Sequence, residues 1–342
     1  MSEIKQITVM GATGSIGKNT LSLIRQFPEK FSVFGLVAGR NVEQLARLTK
    51  EFNPKIVGIN DERKLPVLRE LLKDLEVDVV AGEEECTKIA SIPVDLIVAG
   101  IIGFAGLSSV IAAVDAGQVV ALANKEALVS AGAIVMSRAR TSGAKILPLD
   151  SEHNAIFQCW NGWRDQNTDG NFACGISEIE QICLTASGGP FLDLPKNKLS
   201  DITPSQALRH PNWKMGKKIS VDSATMMNKG LEVIEAHWLF SVEPERIHVL
   251  IHPQQAIHGL VYFCDGSVVA QLASADMRTP ISFALSWPGR LPWLPEKLDL
   301  AKLHRLEFVE VDFENFQCFW LAREALKEGG VQPTVLNAAN EV

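Results

Sequence analysis

Along the first 150 residues, short apolar runs alternate with longer stretches whose apolar positions recur every three or four residues. KQITVM (5–10) reads as a short buried strand, and GATGSIGKNT turns from it into a helix running to about Phe27. FSVFGLVAG (31–39) is a second strand, NVEQLARLTKEF an amphipathic helix, and KIVGIN a third strand. Helix-like PVLRELLKDL precedes VDVVAG; DLIVAG (95–100) opens another strand–helix pair, and VVALAN (119–124) is a further strand. Strands alternating with helices of roughly ten to fifteen residues define βαβ units on a parallel sheet. The pattern predicts an α/β fold whose first domain, residues 1–150, is a doubly wound, Rossmann-like parallel sheet.

From Leu147 the patterning loosens. IHVLI (247–251) and LVYFC-DG-SVVAQLA (260–273) read as strands, the latter two as a hairpin turning at Asp265–Gly266. A second, α+β domain is expected over 151–290, carrying catalysis, metal and substrate. WPGRLPWLPEKL (287–298) reads as a linker, FENFQCFWLAREALKEGG (313–330) as a helix, and NAANEV as the opening of another element. Residues 291–342 are thus a linker and the beginning of a C-terminal helical domain.

One stretch imitates a membrane span: Leu96 to Val114 is 19 residues without a charge. Asp95 and Asp115 flank it, and three glycines and the Ser108–Ser109 pair interrupt it. A strand buried on both faces followed by a packed helix has the same hydropathy. No membrane partner is expected. The start, MSEIKQITVM, lacks a basic segment leading into an apolar one, so no signal peptide is read there.

Charge narrows the partners further. Over 342 residues, 33 Lys+Arg against 40 Asp+Glu leave a net charge of −7, with no long basic run. Binding to nucleic acid through phosphate neutralisation is not expected. Six cysteines without a CxxC fit reduced thiols in the cytoplasm and exclude a zinc ribbon.

Gly11-Ala-Thr-Gly14-Ser-Ile-Gly17 follows a strand and opens a helix. There the glycines allow a pyrophosphate to approach the helix N-terminus, where N–H groups and the dipole favour anions. After the second strand, where an acidic residue would select NAD, the chain has Gly39-Arg40-Asn41. Arg40 suits a 2′-phosphate, which favours NADP; a solvated surface charge is the other reading. Gly100, Gly103 and Gly106 repeat the spacing in an apolar setting, for cofactor or for close packing.

Asp150 and Glu152 point the same way in extended backbone, and their oxygens suit a hard cation such as Mg²⁺ or Mn²⁺. The segment from Ser223 to Glu232 reads as a helix start with Asp222 or Ser223 as N-cap. On it Met227, Leu231, Ile234 and Trp238 form a core stripe, while Asn228, Lys229 and Glu232 share a neighbouring face. That face is either an anion site beside a metal or a capped surface helix. Thr185-Ala-Ser187-Gly188-Gly189 adds a small-residue loop that is either a phosphate cradle or an ordinary turn.

At these residues the sequence resembles the 1-deoxy-D-xylulose 5-phosphate reductoisomerase family. The matching segments are GATGSIG, LANKEALVSAG (122–132), LPLDSEHNAIFQ (147–158), LTASGGPF (184–191), HPNWKMGKKISVDSATMMNKGLEVIEA (210–236), IHPQQAIHG and DMRTPI (276–281). The resemblance implies an NADPH- and divalent-metal-dependent enzyme of non-mevalonate isoprenoid biosynthesis, acting on a small sugar phosphate as a cytoplasmic homodimer. It assigns NADPH to Thr13, Gly14, Ser15, Ile16, Gly39, Arg40, Asn41, Asn124, Glu126 and Gly216. Metal goes to Asp150, Glu152 and Glu232, and the phosphate end of the substrate to Ser187, Ser223, Asn228 and Lys229. Lys125, Ser151 and His210 contact substrate, and Trp213 closes over it on a flap near 209–217. Lys125, Glu152, His153, His210, Trp213, Glu232 and His258 form the candidate catalytic set, with no general base singled out. Family members continue several tens of residues past NAANE, so a helical piece without all its partners is expected at this end. Two rivals are kept: another NADP-dependent reductase, which needs no carboxylate trio, and a non-catalytic NADPH-binding protein.

Overall fold

The structure is a computed structural model, and it describes residues 4–161, 176–209, 216–293 and 295–342. Seven parallel strands form one sheet: β1 (Lys5–Met10), β2 (Phe31–Ala38), β3 (Ile56–Ile59), β4 (Asp78–Ala81), β5 (Leu96–Ala99), β6 (Val119–Leu122) and β7 (Lys145–Pro148). Between them run α1 (Ser15–Gln26), α2 (Val42–Phe52), α3 (Leu65–Leu72), α4 (Glu83–Ile89), α5 (Leu107–Asp115) and α6 (Lys125–Ser142). The strand order is β4-β3-β2-β1-β5-β6-β7. The chain steps outward from β1 to β4, then returns to lay β5 against β1, so the order reverses between those two strands. Ligands of such sheets bind outside the strand ends at this reversal.

The central strands β5 and β6, and the inner half of β1, are covered on both faces: Ile7, Val9, Ile97, Val98, Val120 and Ala121 are all buried. The uncharged stretch from Leu96 to Val114 divides into β5, a glycine-containing turn and α5. Among the described residues, no helix is long and apolar enough to cross a membrane. Helix α4, EEECTKI, is absent from the sequence pattern because only Cys86 and Ile89 face inward. Its three leading glutamates suit the positive end of a helix.

The remaining elements are α7 (Ser151–Asn161), β8 (Ile179–Ala186), α8 (Pro204–Ala207), α9 (Lys217–Ala224), α10 (Met227–Phe240), β9 (Ile247–Ile251), β10 (Ile257–Phe263), β11 (Val268–Leu272), α11 (Arg278–Ser286), α12 (Leu300–Leu303), β12 (Val309–Glu310), α13 (Gln317–Glu328) and α14 (Gln332–Glu341). Their mixed sheet has the order β11-β10-β8-β9-β12; only β8 and β9 pair in parallel. The β10–β11 hairpin forms as the Asp265–Gly266 signal predicts, with Gly266 at φ 83°.

Two expectations are corrected. Asp222 and Ser223 do not cap a helix start but lie in the last turn of α9. The following helix, α10, begins only after Met226 adopts a left-handed conformation. NAANEV does not open an element either: NAANE is the second half of α14, which starts at Gln332 and ends at Glu341.

The chain divides into two units that do not follow chain order. One holds 1–127, 131–150 and 277–293; the other holds 128–130, 151–276 and 294–342. Residues 277–293 return to the first unit because α11 packs on α1, and Lys5 Nζ donates to the Trp287 carbonyl at 2.9 Å.

Candidate active site

In the first unit the glycine loop sits at the strand reversal. Gly11 has φ 83°, and a Cβ there would lie 2.6 Å from the Gly100 carbonyl oxygen of the β5 loop. A Cβ on Gly17 would meet the Gly11 oxygen at 2.5 Å. Only glycine permits this closeness. Gly14 stands at the N-cap of α1 without a side-chain cap, so the amides of the first turn are left for an outside acceptor. Thr13 and Ile16 are part-buried and Ser15 is exposed around that turn.

After β2, Gly39, Arg40 and Asn41 are exposed. The Asn41 side chain accepts from the Gln44 amide at 3.0 Å and caps α2. Asn124 is buried: its oxygen caps α6 through the Ala127 amide at 2.8 Å. Its Nδ2 donates to the carbonyls of Ile101 and Gly103 at 2.6 and 2.9 Å. The side chain therefore pins the second glycine loop. Lys125 begins α6 and pairs with Asp150 at 2.6 Å, and Glu126 beside it is part-buried.

In the second unit, polar side chains of two helices converge. Helix α7 supplies Ser151, Glu152 and His153; α10 supplies Asn228, Lys229 and Glu232. The Lys229 ammonium donates to both Glu152 Oε1 and Glu232 Oε2. Asn228 Nδ2 donates to Glu232 Oε1, and Ser151 Oγ donates to Glu152 Oε2 at 2.5 Å. Lys229 and Glu232 are buried, so the capped-surface-helix reading of this face is overturned. Carboxylate oxygens of Glu152 and Glu232 lie within 4.8 Å of one another. Small hard cations hold oxygens at 2.0–2.1 Å, so opposite ligands of such an ion are about 4 Å apart. These two carboxylates already converge on one positive charge, and that donor set fits a hard divalent ion.

Behind the cluster, His153 Nε2 donates to the Glu232 carbonyl at 2.8 Å, and its ring stacks on Phe240. Its Nδ1 faces the Glu235 carboxylate at 3.6 Å, both side chains being fully buried. Glu235 was not singled out in the sequence, although its place one helical turn after Glu232 was a usable signal. Gly259 of β10 admits α7 closely: a Cβ would lie 3.0 Å from the Glu152 carbonyl. Next to it, His258 is pushed down to about 4 by burial, so its imidazole is neutral near pH 7.

Ser187 is buried after β8, and its Oγ accepts from the Gly189 amide at 3.1 Å. Ser223 is part-buried, and Gly216 is the exposed N-cap of α9. His210 and Trp213, with most of the expected flap, lie outside the described residues. Burial pushes the thiols of Cys86, Cys159 and Cys183 up to about 12, so none serves as a ready nucleophile.

Three family models match this chain. The 1-deoxy-D-xylulose 5-phosphate reductoisomerase model covers residues 7–132, and two models of the same enzyme's C-terminal domains cover 146–240 and 272–342. The reductoisomerase of Dechloromonas aromatica (strain RCB) is 49% identical over 100% of this chain and 85% of its own length. That of Gloeobacter violaceus is 49% identical over 99% of this chain and 84% of its own. A solved structure of the Zymomonas mobilis enzyme in complex with NADPH is 44% identical, with TM-score 0.91, over 99% of this chain and 86% of that one. A reductoisomerase structure in complex with NADPH, fosmidomycin and magnesium is 42% identical, with TM-score 0.90, over 99% and 83%. With the glycine loop at the strand reversal and the carboxylates gathered in the second unit, these matches mean that the chain belongs to the 1-deoxy-D-xylulose 5-phosphate reductoisomerase family.

Proposed function

We propose that this chain converts 1-deoxy-D-xylulose 5-phosphate to 2-C-methyl-D-erythritol 4-phosphate, using NADPH and Mg²⁺ or Mn²⁺. The observation that carries this reading is the convergence of Glu152 and Glu232 on one buried positive charge. Asp150 joins them as the third metal ligand. It stands two residues before Glu152, so chain geometry limits their Cα separation to about 7 Å. When bound, the cation supplies Lewis-acid polarisation of the substrate's ketone and neighbouring hydroxyl.

The chain's own residues do the rest. The Lys229 ammonium holds Glu152 and Glu232 together; with these carboxylates holding a divalent ion, Lys229 would be available to the substrate phosphate, with Asn228, Ser187 and Ser223 as further donors. Phosphate held away from the reacting carbons contributes positioning. Lys125, paired with Asp150 at 2.6 Å, would contact substrate, and Asp150 would be one of the residues holding the cation. His153 fixes the backbone of Glu232, and neutral His258 donates a hydrogen bond rather than a proton. The first-turn amides of α1 take the pyrophosphate, and Arg40 takes the 2′-phosphate of NADPH. His210 and Trp213 cover the substrate and exclude water. Family resemblance supports a cytoplasmic location and a homodimer, and the edge strand β11, with Val268 and Leu272 exposed, offers backbone for such pairing.

The test is oxidation of NADPH in the presence of 1-deoxy-D-xylulose 5-phosphate, with and without Mg²⁺ or Mn²⁺. Metal-dependent oxidation that yields the branched polyol phosphate is expected. Oxidation that proceeds equally in chelator would return the choice to a metal-independent reductase.

A further inference from the structure

We propose that helix α14 is a positioning element of the active site: Thr334 and Asn337 fix the first turns of α6, and Asn340 fixes the last turn of α9. The proposal rests on the functional reading above, in which Lys125 and Ser223 meet the substrate.

Helix α6 is not continuous. Ala131 departs from helical geometry (φ −142°, ψ 26°), so residues 125–130 form a separate rod. At 1.5 Å per residue that rod is about 9 Å long. Asn124 caps its start through the Ala127 amide. Carbonyls that close a helical stretch need donors from outside. Here the Thr334 hydroxyl donates to the Ser130 carbonyl at 2.8 Å, and Asn337 Nδ2 donates to Ser130 Oγ at 3.3 Å. Asn337 is 3% exposed, and among the described residues its Oδ1 has no hydrogen-bond partner. A buried amide with an unmet acceptor is costly, so packing alone favours an apolar side chain at this position. What an apolar side chain lacks is the donor to Ser130. The rod is thus held at both ends, and Lys125 is its first residue.

Three residues beyond Asn337, one turn further along α14, Asn340 Nδ2 donates to Asp222 Oδ1 at 3.1 Å. Asp222 is 7% exposed and also receives Lys218 Nζ at 2.8 Å; Glu341 pairs with the same lysine at 3.3 Å. Ser223 is the next residue. One helix therefore pins Ser130, at the end of the rod that Lys125 begins, and Asp222, next to Ser223. Released, those stretches sample geometries that do not bind substrate, and apparent affinity falls with the competent fraction.

The experiment compares full-length wild type with Thr334→Val, Thr334→Ser and Asn340→Leu, at a temperature where circular dichroism shows each folded. Amide hydrogen exchange and steady-state kinetics are both read. Thr334→Val is expected to speed exchange within 125–131 and raise KM for 1-deoxy-D-xylulose 5-phosphate about three- to tenfold, with kcat within about twofold. Thr334→Ser, which keeps the hydroxyl, restores both. Asn340→Leu speeds exchange at the end of α9 and raises the same KM. Unchanged exchange at these stretches, faster exchange with unchanged KM, or a serine variant no better than valine overturns the proposal. A wild type without metal-dependent turnover overturns the functional reading, and the role of α14 with it, while exchange still reads the pins themselves.

Discussion

The glycine loop after β1 and the carboxylate cluster of α7 and α10 do comparable work with opposite materials. The loop is made of backbone: Gly11, Gly14 and Gly17 contribute no side chains, and what they supply is room and amide hydrogens. The cluster is made of side chains from positions 77 to 80 residues apart, held by buried hydrogen bonds. A backbone site is local, so its components are consecutive in sequence and fail one at a time by steric collision. A side-chain site is non-local, so it exists only when two helices pack in one register, and removing Lys229 would leave the Glu152 and Glu232 carboxylates without their shared counter-charge.

This difference can be broken or sharpened by experiment. Glu232→Gln has the largest expected effect: it leaves Lys229 beside a single carboxylate and, on the proposed function, takes an oxygen ligand from the metal. Turnover falls by at least about a hundredfold, and Mn²⁺ affinity measured by electron paramagnetic resonance falls with it. Near-normal turnover would show that the cluster is not the metal site.

Acid comes next. The folded state holds His258 at about 4, below its ordinary value of 6.5, so the unfolded chain binds the extra proton between those values. This stabilisation is complete above pH 6.5 and is lost as pH falls toward 4, amounting to up to about 3 kcal/mol. Thermal midpoints recorded across that window should fall, and the slope should flatten in His258→Gln.

Gly17→Ala probes the loop. Its added methyl meets the Gly11 carbonyl, and the collision costs about 1–3 kcal/mol. Denaturant unfolding measures that cost, and NADPH fluorescence titration reports the weaker cofactor binding expected alongside it. An alanine variant that binds NADPH as tightly as wild type would mean that the close approach is packing only. The smallest effect belongs to Asn41→Ala, which removes the cap of α2 and costs about 1 kcal/mol. A change in the NADPH-over-NADH ratio of kcat/KM beyond the loss of stability would show that Asn41 also meets the cofactor.

The same contrast explains what was legible in the sequence. The βαβ order, the hairpin at Asp265–Gly266 and the stripe of Met227, Leu231 and Ile234 all follow from periodicity, because burial acts on each element separately. Helix α4 escaped that pattern, since two inward residues carry too little periodic signal. Asp222 and Ser223 read as a helix start because their side chains suit caps. In the fold Asp222 is instead taken by Lys218 and Asn340, and the helix start moves to Met227. Lys229 and Glu232 read equally well as an exposed ion pair. The fold instead buries the pair and brings Glu152 of α7 onto the same ammonium, a contact between residues 77 apart that no local pattern shows.

By itself, then, the sequence determined what consecutive residues can do: strand and helix periods, the glycine loop, the absence of basic runs, and the family motifs. Tertiary structure alone decided which polar residues meet. It set Lys229 between two glutamates, stationed Glu235 behind His153, returned α11 to the first unit and brought α14 onto Ser130. Periodicity records whether a side chain is inside, whereas pairing inside depends on the register of elements distant in the chain, which no local pattern encodes.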